Sequence, residues 1–324
     1  MFSRFRIFIF IFSYAFVFAG CSMYEFKDPT GAQLQVQYVS PEDKGKKIMS
    51  QPQKETDKKI TYKSQIKPAT SEIEPVPEFK VKSRPNDIAV IVGIEEYQDL
   101  PKSDFSSSDA KLIRNYLKAL GFQERNIEVL INEKATKSGI EKAIEAWLPN
   151  HVKADSKVFI YYSGHGAPEP KTGDAYIVPY DGDPNYLDVT GYSLKRLYEK
   201  LAKLRATEVI VVLDSCFSGI GGRSVLAKGA RPLVIMSDMP MISKNMVVIS
   251  ASQGNQISTS SPELGHGIFT YYFLKALKEG KKAIVDIYQY IKPLVEDEAK
   301  RLNINQSPNI TPDIEKLKGK FYLR

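Results

Sequence analysis

Cysteine and histidine are scarce in this chain, with two Cys and three His among 324 residues. No group of them has the spacing of a zinc site. Basic clusters are missing as well. The formal charge is +7, but it is spread without a dense run of Lys and Arg, which argues against a nucleic-acid partner. Internal repeats are absent. Long apolar runs are also missing: residues 7–19 form a stretch of 13, short of the roughly 20 that a spanning helix needs. Gly219-Ile220-Gly221-Gly222 lacks the following Lys-Ser/Thr of a phosphate-binding loop. The acidic turn Asp181-Gly182-Asp183 is too short to specify an ion. What remains is 43% hydrophobic and 26% charged, the composition of an ordinary globular protein with room for one sizeable α/β domain.

The apolar stretch follows Arg4 and Arg6 and ends in Phe18-Ala19-Gly20-Cys21. A positive start, a short apolar core and small residues before a cysteine resemble a bacterial lipobox, so residues 1–20 read as a lipoprotein-type signal peptide. Cys21 would then be the lipid attachment site, anchoring the protein to a membrane of the bacterial envelope without spanning it. A plain secretory signal, with Cys21 incidental, is the competing reading. Residues 21–85 are rich in Lys, Glu, Gln, Ser and Pro, and are expected to form a disordered tether. A lipidated Cys21 leaves Cys216 without a partner, so Cys216 is either a buried inert thiol or a reactive one.

Residues 86–324 alternate between strand and helix patterns. The continuous β-branched run at 87–94 and the runs at 157–162 and 208–213 read as buried strands, and 126–131 and 245–250 as further strands. Helices are expected at 104–120, where Ser106, Ser107 and Ser108 are cap candidates and Gly121 is the stop. Further helices are expected at 137–148, 193–203, 268–277 and 284–301. Alternation of this kind implies an α/β fold with a mainly parallel sheet and helices on both faces. Functional residues of such sheets lie beyond the carboxyl ends of the strands.

Two strands end unusually. One runs into Ser163-Gly164-His165-Gly166, the other into Asp214-Ser215-Cys216-Phe217-Ser218-Gly219. If the strands are neighbours, with a helical crossover and a hairpin between them, His165 and Cys216 face each other across one rim. That arrangement suits a dyad in which imidazole takes the thiol proton. The tripeptide Gly265-His266-Gly267 repeats the pattern, but it precedes a helix, so His266 reads as a residue at a helix start. His151 reads as an exposed residue in a helix-to-strand connection.

YYSGHG and LDSCFSG, with AVIVGIEEY and DAYIVPYD, closely resemble the caspase-like cysteine peptidases, especially metacaspases and their bacterial relatives, over roughly residues 86–310. The resemblance implies a three-layer sandwich and hydrolysis of peptide bonds without a cofactor, with His165 and Cys216 catalytic. It also implies an oxyanion hole made of the backbone N–H groups of Gly166 and Cys216. It carries Asp109, Ser163 and Asp214 onto positions that line the pocket for the residue before the cut, and an acidic pocket favours Arg or Lys. A first-turn carboxylate serving the helix dipole is the competing reading of Asp109. Protein or peptide substrates with basic residues are the expected partners. A scaffold that keeps the fold without turnover, or a legumain-like or gingipain-like peptidase, remains open. Residues 219–244 carry Arg223, Lys228, Arg231 and Lys244 and suit a self-processing loop or a plain connector.

Overall fold

The computed structural model describes residues 25–27, 33–35, 71–169, 174–217, 242–253 and 256–323. The chain divides into two compact units, Met1–Ser64 and Gln65–Arg324. In the first, Glu25–Lys27 pairs antiparallel with Gln33–Gln35.

The second unit is built on a six-stranded sheet. Its strands are β1 (Ile88–Gly93), β2 (Ile127–Ile131), β3 (Lys157–Ser163), β4 (Glu208–Asp214), β5 (Met246–Ser250) and β6 (Asn309–Thr311), in the order β6-β5-β4-β3-β1-β2. Strands β1 to β5 are parallel, and β6 runs antiparallel against β5. The four central strands are hydrophobic at almost every position because helices cover both faces.

The alternation of side chains along each strand separates two cores. Ala89, Ile91, Phe159, Tyr161, Ile210, Val212, Val247 and Ile249 face helices α1 (Ser106–Ala119), α3 (Ile268–Lys278) and α4 (Ile284–Arg301). Val90, Val158, Ile160, Val209, Val211 and Val248 face the helical stretch 137–151 and α2 (Leu194–Ala202). These three layers are the sandwich expected. Between β3 and β4 the chain makes a small antiparallel sheet, Gly166–Pro168, Ala175–Ile177 and Tyr192–Ser193, before entering α2. That is the hairpin and helical crossover anticipated from the spacing.

Three expectations need correction. The tether does not extend to residue 85. Ile73 is fully buried against α1, and the Tyr116 hydroxyl donates to its carbonyl at 2.8 Å. Glu72 binds Lys275 and Tyr271 of α3. Val76 and Phe79 pack against the same core as Ile73, so the stretch is docked rather than free. Helix α1 is not capped by serine. Phe105 stands at the cap with φ 65°, and the Glu95 carboxylate accepts from Ser107 Oγ at 2.6 Å. The single helix expected at 137–148 is an α-turn from Lys137–Glu141, a π-turn from Lys142–Trp147 and a last α-turn, Leu148–His151. His151 ends that turn, exposed and stacked on Trp147. Among the described residues, no helix is long and apolar enough to cross a membrane.

Candidate active site

The site is assembled by strand register. In the β3–β4 ladder Ser163 lies opposite Asp214, and the next amide, Gly164 N–H, reaches the Asp214 carbonyl at 3.5 Å. His165 and Cys216 each follow that pair by two residues, so they emerge from adjacent strands at the same level of the rim. The loops are in close contact. A Cβ on Gly166 would lie 2.5 Å from the Cys216 carbonyl oxygen and 2.5 Å from Cδ1 of Phe217. Only glycine allows the backbone after His165 to pass this near the backbone of Cys216.

His165 is 2% exposed and held from two sides. Its backbone N–H donates to the Tyr97 hydroxyl at 2.6 Å, and its ring lies 4.6 Å from the Tyr97 ring, centroid to centroid. Nε2 lies 2.7 Å from the Pro101 carbonyl oxygen. A carbonyl can only accept, so this contact assigns the ring proton to Nε2 and gives Nδ1 the lone pair in neutral imidazole. Cys216 is fully buried, and its thiol donates to the Gln256 carbonyl at 2.8 Å. The Gln256 side chain is itself tied down, its Oε1 accepting from Ser307 N–H at 2.8 Å. Tyr97, the Pro101 carbonyl and Gln256 escaped sequence reasoning. Two act through backbone atoms, which leave no mark on residue identity.

The carboxylates singled out in the sequence converge on one helix end. Asp214, fully buried, accepts from Ser258 Oγ at 2.9 Å and from Thr270 Oγ1 at 2.6 Å. Thr270 Oγ1 also lies 2.7 Å from the Tyr161 hydroxyl. Asp109, also fully buried, accepts from Gly267 N–H at 2.9 Å, and His266 Nδ1 lies 2.6 Å from its other oxygen. Gly267 is the cap and Thr270 the third residue of α3, so both acids sit where unpaired amides and the helix dipole favour negative charge. Ser163 is fully buried at the end of β3, its carbonyl accepting from Ile94 N–H at 2.9 Å.

His266 was not recognised as part of this cluster. Beyond starting a helix, it is a buried residue of the strand His266–Gly267, paired with Ser260–Ser261, and it reaches across 157 residues to Asp109. Its repeated Gly-His-Gly was the available signal. Among the described residues, no group of three or more His, Cys, Asp and Glu could hold a metal ion. Cys21 and residues 219–241 of the basic loop lie outside the described residues.

The Caspase domain family matches residues 86–318. A paracaspase of Dictyostelium discoideum is 26% identical over 205 residues, covering 62% of this chain and 46% of the relative, so the chain spans about half of that protein's length. The structure of protein GSU0716 from Geobacter sulfurreducens superposes with a TM-score of 0.54 at 22% identity, covering 74% of this chain and 100% of that one. Caspase-1 of Spodoptera frugiperda gives a TM-score of 0.45 at 14% identity, covering 75% of this chain and 94% of its own. With its three-layer α/β fold and its match across residues 86–318, the chain belongs to the caspase-domain family.

Proposed function

We propose that this protein is a cysteine endopeptidase that hydrolyses peptide bonds after Arg or Lys, with Cys216 as nucleophile and His165 as base. The observation that carries this reading is the paired register of Ser163 and Asp214, with His165 and Cys216 each two residues further on. The contact of His165 Nε2 with the Pro101 carbonyl adds to it, since it turns Nδ1 into the basic nitrogen. The paracaspase relative supports the same class of chemistry.

In the proposed reaction the thiol proton leaves the Gln256 carbonyl and passes to His165 Nδ1. The thiolate sulfur attacks the scissile carbonyl carbon, and the C=O electron pair moves onto oxygen. The N–H groups of Gly166 and Cys216 stabilise that oxyanion. Collapse of the tetrahedral species breaks the C–N bond, and the imidazolium gives its proton to the departing amine. Water, deprotonated by the same imidazole, then attacks the thioester, and the thiol re-forms as the acid product leaves.

Asp214, Asp109 and Ser163 would line the pocket for the basic residue. A carboxylate has about four acceptor positions, so it can take a guanidinium or ammonium beside a protein donor. Lipid on Cys21 would hold the enzyme at a membrane of the bacterial envelope, where protein or peptide substrates reach it.

A panel of fluorogenic peptides ending in Arg, Lys, Asn or Asp, incubated with the full-length chain, tests this. Arg and Lys substrates should be hydrolysed and Asp substrates spared. Cys216→Ala and His165→Ala should each lower kcat/KM on the order of 10³-fold or more while melting as the wild type does. Best cleavage after Asp would refute the pocket, and an active Cys216→Ala would refute the nucleophile.

A further inference from the structure

The proposed pocket rests on two buried carboxylates, and an imidazole grips one of them, Asp109. Both oxygens of Asp109 are gripped by consecutive residues, Oδ1 by His266 Nδ1 at 2.6 Å and Oδ2 by Gly267 N–H at 2.9 Å. Two grips from one short strand fix the plane of the carboxylate, so it cannot turn about its last bond without losing a donor. Asp214 is held one turn further along the same helix by Thr270, and by Ser258. The spacing of the two acids is therefore set by α3, and the orientation of Asp109 by His266 together with Gly267.

His266 has no other visible reason to be an imidazole. It is 3% exposed, and its Nε2 has no hydrogen-bond partner among the described residues. The Tyr271 ring lies 6.2 Å away between centroids. Burying a polar ring with one nitrogen unsatisfied is costly, and a leucine would fill the same space without that cost. The contact that offsets it is the one to Asp109. A carboxylate only accepts, so Nδ1 carries a proton towards Asp109 and keeps that oxygen facing the imidazole. Two buried like charges at one helix end also repel each other, and this donor relieves part of that repulsion.

We propose that His266 is the positioning residue of the basic pocket, orienting Asp109 so that it meets the charged end of the substrate side chain alongside Asp214. It thereby sets the margin by which Arg is preferred over a neutral side chain of the same shape. The inference rests on the pocket reading above and names a residue outside the catalytic pair.

The test compares kcat and KM for matched peptides ending in Arg and in citrulline, the neutral isostere of Arg, using the full-length chain. His266→Leu should lower the Arg-over-citrulline ratio of kcat/KM by about tenfold or more, mainly by raising KM for the Arg peptide, as loss of a well-aimed charge contact would. His266→Asn, whose amide can donate to Asp109 as Nδ1 does, should bring the ratio back to within about threefold of wild type. Asp109→Asn should reproduce the loss in a protein that keeps His266. The double variant Asp109→Asn/His266→Leu should be no worse than the poorer single one. If His266→Leu does not fold, Asp109→Asn decides alone, and an unchanged ratio in it overturns the proposal. Equal losses on both peptides, or no rescue by Asn, would mean that His266 is merely structural. A wild-type enzyme with no preference for Arg over citrulline refutes the pocket itself, an outcome distinct from a preference that His266→Leu leaves intact.

Discussion

Replacing Ile73 with Ala separates a docked segment from a free tether. Ile73 is fully buried in the core formed with α1, α3 and α4, on a stretch whose Pro and Glu content resembles disordered chain. The substitution removes three carbon groups, about 2.4 kcal/mol of transfer free energy at ~0.8 kcal/mol each. If the surroundings do not collapse, a residual cavity of roughly 70 Å³ adds up to about 1.7 kcal/mol. Partial relaxation puts the loss at about 2.5–4 kcal/mol. For a unit of this size that corresponds to a fall in Tm of about 5–15 °C, read by scanning calorimetry or by circular dichroism. The Tyr116 hydrogen bond goes to the Ile73 carbonyl and survives the change, so the effect reports packing alone. Lys80→Ala, at an exposed position in the same stretch, is the control and should leave Tm in place. A chain starting at residue 86 should lose more than the point variant, because the contacts of Glu72 with α3 go as well. A shift below about 1 °C for Ile73→Ala would refute the docking of this segment.

Hydrogen bonds from Lys275 and then Tyr271 hold the Glu72 carboxyl below its usual value of 4.5. A depressed carboxyl stabilises the fold above its unfolded pKa and loses that contribution as pH falls through the folded one. Glu72→Gln should therefore lower the unfolding free energy at pH 7 but not near pH 3, by less than about 1 kcal/mol because the pair is largely exposed. An equal effect at both pH values would show that the charge is irrelevant. Gly166→Ala pushes a Cβ towards the Cys216 carbonyl and Phe217, and should cut hydrolysis by about 10²-fold or more by displacing the two loops. Near-wild-type turnover would mean that their close approach is not required. Cys21→Ser should abolish lipid attachment and release the protein from the membrane fraction. A wild-type mature chain beginning downstream of Cys21 would refute the anchor.

The layers of this protein were legible in its residues because they depend on local pattern. Five of the six strands of the main sheet are short, largely apolar runs, and each of their lengths is within a residue or two of the observed strand. β6 escaped because Asn309–Thr311 is a three-residue edge strand with one buried side chain, too short to show a period. The segment at 71–79 escaped for a related reason: its three apolar residues read as isolated within a polar stretch until the core they pack against exists.

The glycines around His165 and the strand ends before His165 and Cys216 pointed to one rim, since parallel neighbours bring their carboxyl ends to the same side. Sequence could propose that these strands are neighbours, but hydrogen-bond register is a property of two chains side by side. Only the tertiary structure set Ser163 opposite Asp214 and so brought the two loops level. The same holds for the contacts that orient the groups. The Pro101 carbonyl on His165, the Gln256 carbonyl on Cys216 and the His266 grip on Asp109 join residues 40 to 157 positions apart. Residue types and spacing determined which groups could react. Which backbone oxygen meets which proton, and that Asp109 and Asp214 share the end of one helix, follows from how the packed layers bring distant segments together, and no local pattern records it.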